Sequence, residues 1–171
     1  MSYEIIALRF VHVVGGIFWV GSALLMTFFI APSLGGLGPA AGALMAGLRQ
    51  RGLMTWLPVV ALLTILSGLR LIWIVSDGFD GPYMTTAMGH TFAGSGALAI
   101  VAFLVGILVA RPAAARMGEI GAQMAAAPEA QRAALAEEME RLRRRSATMT
   151  MVNTILLLVA AAGMAVARYL G

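Results

Sequence analysis

Four predominantly apolar stretches, at 5–31, 54–75, 83–110 and 148–167, alternate with segments that carry most of the charge. A helix rises 1.5 Å per residue, so about 20 apolar residues cover the ~30 Å hydrocarbon core of a bilayer. All four stretches reach that length, which predicts an all-α integral membrane four-helix bundle of up-down-up-down topology. Pro32 and the Gly/Ala-rich stretch to Gly47 read as a loose first connection, and Gly78, Gly81 and Pro82 as a tight second one. In the third connection, 111–147, Pro128 and Glu129 suit a helix start, and Leu135, Met139 and Leu142 recur at helical spacing. This predicts a helical hairpin that extends spans three and four. The chain, 1–171, is then a single four-span domain with no room for a separate soluble catalytic domain.

Composition agrees: 60% of the residues are hydrophobic and only 12% charged, a balance foreign to soluble domains. Nine of the twelve arginines lie between spans one and two or three and four: Arg49, Arg51, Arg111, Arg116, Arg132, Arg141, Arg143, Arg144 and Arg145. The positive-inside bias therefore makes those connections cytoplasmic, the hairpin included. The connection 76–82 carries Asp77 and Asp80 and no basic residue, which places it and both termini on the outer, periplasmic side. The basic pI, near 10.7, is explained by this bias and by anionic headgroups, and implies no nucleic acid. The first span has no basic residue ahead of it apart from Arg9, which lies inside, and it exceeds a signal-peptide core in length, so it is expected to remain as a helix. Cysteine is absent, which excludes disulfides, thiolate ligation, covalent haem attachment and iron–sulfur clusters.

The two histidines, His12 and His90, both fall about one and a half to two turns inside the outer face, at the starts of spans one and three. An ionisable or coordinating group at such depth is costly and marks a functional candidate. In an up-down-up-down bundle these spans are diagonal, about 14 Å apart, which suits a metal centre with an imidazole on each side, most simply a haem iron. Gly15 and Gly16 follow His12 at helical spacing and Gly94 follows His90, giving a porphyrin room on both walls. Trp19 shares the His12 face one layer deeper, and Arg9 and Arg70 lie near the outer ends of spans one and two, where they suit propionates. Each residue also has a plain alternative: an interhelical hydrogen bond for the histidines, packing for Trp19, snorkelling for Arg9, and an ion pair with Asp77 for Arg70. Asn153, near the inner end of span four, has no evident partner and reads as interhelical glue.

The string HVVGGIFWVG, with His12, Gly15, Gly16, Trp19 and Gly21, resembles the first helix of CopD-like membrane proteins. The arginine-rich hairpin and the ending AVARYL are similar in style. These bacterial inner-membrane proteins are linked by name to copper handling, and they are similar in layout to the haem-binding protoporphyrinogen oxidases of the HemJ type. The resemblance implies a multi-pass location in the bacterial inner membrane and a non-covalent haem b on His12, with His90 as its partner. The oxidases also rely on a lysine in their site. This chain has none, which counts against protoporphyrinogen oxidation.

The leading expectation is a membrane b-type cytochrome that passes single electrons to or from quinone or a larger redox complex, with His12 and His90 on the iron and Arg9 and Arg70 at the propionates. A copper-binding or transport protein is the alternative from another class. Met84, Met88 and His90 lie together at the outer entrance to span three, with Met164 as a spare thioether in span four, and thioethers suit Cu(I). A cofactor-free accessory subunit of a larger complex, packed through its glycine-rich faces, is the third. A homo-oligomer is compatible with each.

Overall fold

The computed structural model describes residues 2–37, 39–79 and 81–170. Among them there is no strand, and four helices are long and apolar enough to cross a membrane. Span one is Tyr3–Leu25, capped by the Ser2 hydroxyl, which accepts from the Glu4 amide. Span two is Leu53–Val75, span three Ala87–Val105, and span four belongs to the single helix Glu129–Val166.

Spans one and two pack in opposite directions, as three contacts in reverse order demonstrate: Glu4 with Arg70, His12 with Thr64, and Gly15 with Val60. Span three packs most closely on span four, where a Cβ on Gly163 would collide with the Ser95 hydroxyl. Thinner contacts between spans two and three and between one and four close the square, so spans one and three lie diagonally. At the centre Trp19, Ala61, Ala102 and Leu157 form the core, and Trp19 meets Phe103 edge-on across the diagonal at 6.4 Å.

The interior is small and partly polar, with Thr27, Thr64, Ser67, Ser95 and Thr154 all buried, whereas Phe10, Ile17, Trp56 and Leu108 are well exposed. A water-soluble domain with that outer surface would aggregate. In a bilayer the same arrangement is stable, because lipid solvates large apolar side chains and small residues let helices approach.

Spans one and three share an irregularity. Met26–Ile30 and Gly106–Ala110 are π-helical, with the amides of Ala31 and Arg111 reaching back five residues to the carbonyls of Met26 and Gly106. Each π segment ends two residues before a proline, Pro32 or Pro112. Proline has no N–H and its ring crowds the carbonyl four residues back, here that of Phe28 or Leu108. Widening the helix by one residue relieves the crowding without breaking the rod. Pro32 therefore does not open a loop: the helix runs on to Leu34, and span three runs on through Arg111–Ala126.

Two expected boundaries need correction. The first connection is not loose, for Pro39–Gln50 is helical: its alanine, leucine and methionine content outweighs its glycines, and Gly52, at φ 82°, ends the turn that follows. Span three starts at Ala87 rather than Tyr83, because Thr86 is extended and its hydroxyl caps the helix by accepting from the Gly89 amide; Pro82–Thr85 is a 3-10 turn. Span four is continuous with its hairpin arm from Glu129, the helix start read from Pro128 and Glu129. Asp80, read as marking the outer connection, lies outside the described residues. The hairpin arms Arg111–Ala126 and Glu129–Val166 pack over the fully buried Ile120 and are tied by Arg116, whose guanidinium meets Glu138 at 2.9 Å and Glu119 at 3.2 Å. Hydrogen bonds to Glu138 and then Glu119 make that guanidinium hold its proton more firmly than usual.

Candidate functional site

His12 is half-buried between spans one and two, and its Nδ1 lies 2.7 Å from the Thr64 carbonyl oxygen. A carbonyl only accepts, so Nδ1 carries a proton and donates; in the neutral ring Nε2 is then the nitrogen with the lone pair. The ring is seated by glycine: a Cβ on Gly68 would stand 2.6 Å from His12 Cε1 and 2.9 Å from Nδ1. Gly15 sets the approach of the same two helices, since a Cβ there would collide with Thr64 Oγ1. The Thr64 hydroxyl turns back onto its own helix, to the Val60 carbonyl at 2.8 Å, and the Ser67 hydroxyl lies 2.7 Å from the Leu63 carbonyl and 3.0 Å from the Thr64 carbonyl, so it shares the acceptor that His12 uses. A histidine whose Nδ1–H is fixed by a backbone carbonyl and whose Nε2 is unprotonated is the usual form of a metal-ligating imidazole.

His90 is placed differently, in the first turn of span three on an exposed face. Gly94, one turn further, is also exposed, with no atom within 4 Å of a built Cβ. His12 thus faces span two and His90 an exposed face, and of the glycines expected to give room, Gly15 is filled by Thr64 and Val60 whereas Gly94 is open. Gly16 touches only Thr64 Cγ2, at 3.8 Å from a built Cβ. Trp19 is 6% exposed and belongs to the core.

Arg70 is bound to Glu4 of span one rather than to Asp77, through Nη2 at 2.8 Å and Nε at 2.9 Å, with both side chains half exposed. Arg9 is exposed and has no ion-pair partner among the described residues. Met84 and Met88 are half-buried, one on the 3-10 turn and one in the first turn of span three. No group of three His, Cys, Asp or Glu side chains converges among the described residues.

Sequence reasoning missed Thr64, Gly68 and Glu4. A backbone acceptor leaves no mark on composition, and Gly68 shows its use only once His12 is laid against it. Thr27 was missed as well: buried in the π segment of span one, its hydroxyl meets that of Thr154 at 2.7 Å. No protein-family profile, characterised protein or solved structure matches this chain.

Proposed function

We propose that this multi-pass membrane protein is a b-type cytochrome of CopD-like or HemJ-like kind, carrying single electrons between quinone or a partner complex and a haem near the outer face. The observation that carries the reading is the seating of His12: its Nδ1–H is held by the Thr64 carbonyl at 2.7 Å and its ring is pinned by Gly68, which leaves Nε2 as the nitrogen that could ligate. The donor types fit a haem, for His12 offers an imidazole with its Nδ1 held, His90 an exposed second one, and Arg9 a cation without an ion-pair partner among the described residues for a propionate. Arg70 joins only by leaving Glu4. Haem, when bound, supplies the one-electron couple. The chain's part is to fix the ligand ring and set the polarity around the site. The arginines of the first and third connections support an up-down-up-down bundle in a bacterial inner membrane, with termini outside and the hairpin in the cytoplasm.

The test is an oxidised and dithionite-reduced visible spectrum of the detergent-purified protein, with a pyridine haemochrome assay and metal analysis on the same sample. One haem per chain, lost or converted to high spin in both His12→Ala and His90→Ala, is the expected result. An unchanged spectrum in one variant removes that residue from the site. A folded, haem-free protein from haem-replete cells refutes the reading. Copper would then favour Met84, Met88 and His90, which surround the start of span three, and no metal would favour an accessory subunit.

A further inference from the structure

Thr27 lies fifteen residues beyond His12, about 22 Å further along span one. Here the interior turns polar again. The Thr27 and Thr154 hydroxyls are bonded to each other, both side chains buried. Beside Thr154, the Asn153 side-chain oxygen is closed off and has no partner among the described residues, and two turns further the Ser146 hydroxyl is in the same condition. Ser146, Thr150, Asn153 and Thr154 fall within one side of the helix, the side that continues into the buried Leu157 and Ala160. The two π segments pack against this helix.

Buried oxygens without donors are costly, and more so where no bulk water competes. The closed-off, unpartnered side-chain atoms in this column are an amide oxygen and a hydroxyl. From this we infer that the bundle holds a second site, at the opposite end from the histidines, lined by Thr27, Ser146, Asn153 and Thr154, which binds a small O–H donor. Water entering from the hairpin side and the hydroxyl of a lipid-soluble quinol share that chemistry. Asn153 Oδ1 accepts the O–H, and Ser146 marks the way in. The inference does not depend on haem.

The chain has no cysteine, so a single one reports without background. Asn153→Cys and, as control, Leu157→Cys, one turn deeper on the same face and 2% exposed, are reconstituted as full-length protein in synthetic phosphatidylcholine vesicles. They are exposed to silver ions, which reach thiols through water and not through hydrocarbon. The blocked fraction is read by maleimide labelling after denaturation. Asn153→Cys should block at least tenfold faster than Leu157→Cys. In Ser146→Cys, which keeps the Asn153 acceptor, an unchanged rate on adding a short-tailed alkylphenol, which carries the O–H of a quinol and does not reduce silver, identifies water as the occupant, and a slowed rate identifies a lipid-soluble hydroxyl. Equal, slow blocking of both cysteines overturns the inference; should Asn153→Cys fail to fold, Ser146→Cys carries the same comparison. Asn153→Leu gives an independent sign: its unfolding midpoint falls if the oxygen holds a ligand, and rises if the oxygen is an orphan, which also overturns the inference.

Discussion

Substituting Gly68 by alanine should lower stability in the natural chain and raise it once His12 is gone. The added Cβ would stand 2.6 Å from His12 Cε1, about 0.8 Å inside the 3.4 Å at which such contacts become ordinary. The imidazole cannot yield that distance freely, because its Nδ1 bond to Thr64, 2.7 Å long, reaches the limit of a hydrogen bond if stretched by as much. Overpacking of this kind costs about 1–3 kcal/mol, and loss of an interhelical hydrogen bond in a membrane adds about 0.6 kcal/mol. Against this, alanine in place of a helical glycine contributes about 1 kcal/mol. The net loss in the natural chain is therefore about 1–2 kcal/mol. In a His12→Ala background the collision vanishes and only the propensity gain remains, so the same substitution should stabilise by up to about 1 kcal/mol. Unfolding of the four proteins in bicelles closes a double-mutant cycle with a coupling of about 2–3 kcal/mol. An equal effect of Gly68→Ala in both backgrounds would refute the placement of the ring against Gly68.

Thr27→Val and Thr154→Val should each destabilise modestly, and their cycle should give a coupling of about 0.6–1.7 kcal/mol, read from the same unfolding curves. Gly163→Leu drives a side chain into Ser95 and should cost about 1–3 kcal/mol or separate spans three and four, seen as loss of cooperativity in the melt. In the hairpin, Ile120→Ala empties a fully buried site and should cost about 2–4 kcal/mol. Limited proteolysis of the hairpin should accelerate in that variant far more than in Arg116→Ala, whose exposed ion pairs contribute little.

The bilayer makes the helices legible in advance: no other arrangement satisfies the backbone over stretches as apolar as 54–75 or 83–110. Legibility fails where a choice turns on backbone atoms. Pro32 reads as a break in any sequence, and only the structure shows that the helix absorbs it by taking in a residue; Pro112 repeats the device. The candidate site divides in the same way. The side chains of His12 and Arg70 are visible as unusual in an apolar span, yet their partners are not, since one is a main-chain carbonyl and the other, Glu4, is far off in sequence while Asp77 is near. Asn153, without an evident partner in the sequence, keeps an unpaired oxygen in the fold.

Each π segment also inserts one residue into a rod, and one residue in a helix is a rotation of about 100°. Beyond Pro32 and beyond Pro112 the surface is therefore turned by that angle relative to the membrane section before it. The register that buries Trp19 or Ala102 in the bundle is thus uncoupled from the register that buries Ile120 between the hairpin arms. Each face can change without dragging the other round the axis. Deleting one residue from 106–110 would restore an ordinary helix and swing the whole first arm, Arg116 and Ile120 with it, away from the surface it packs on.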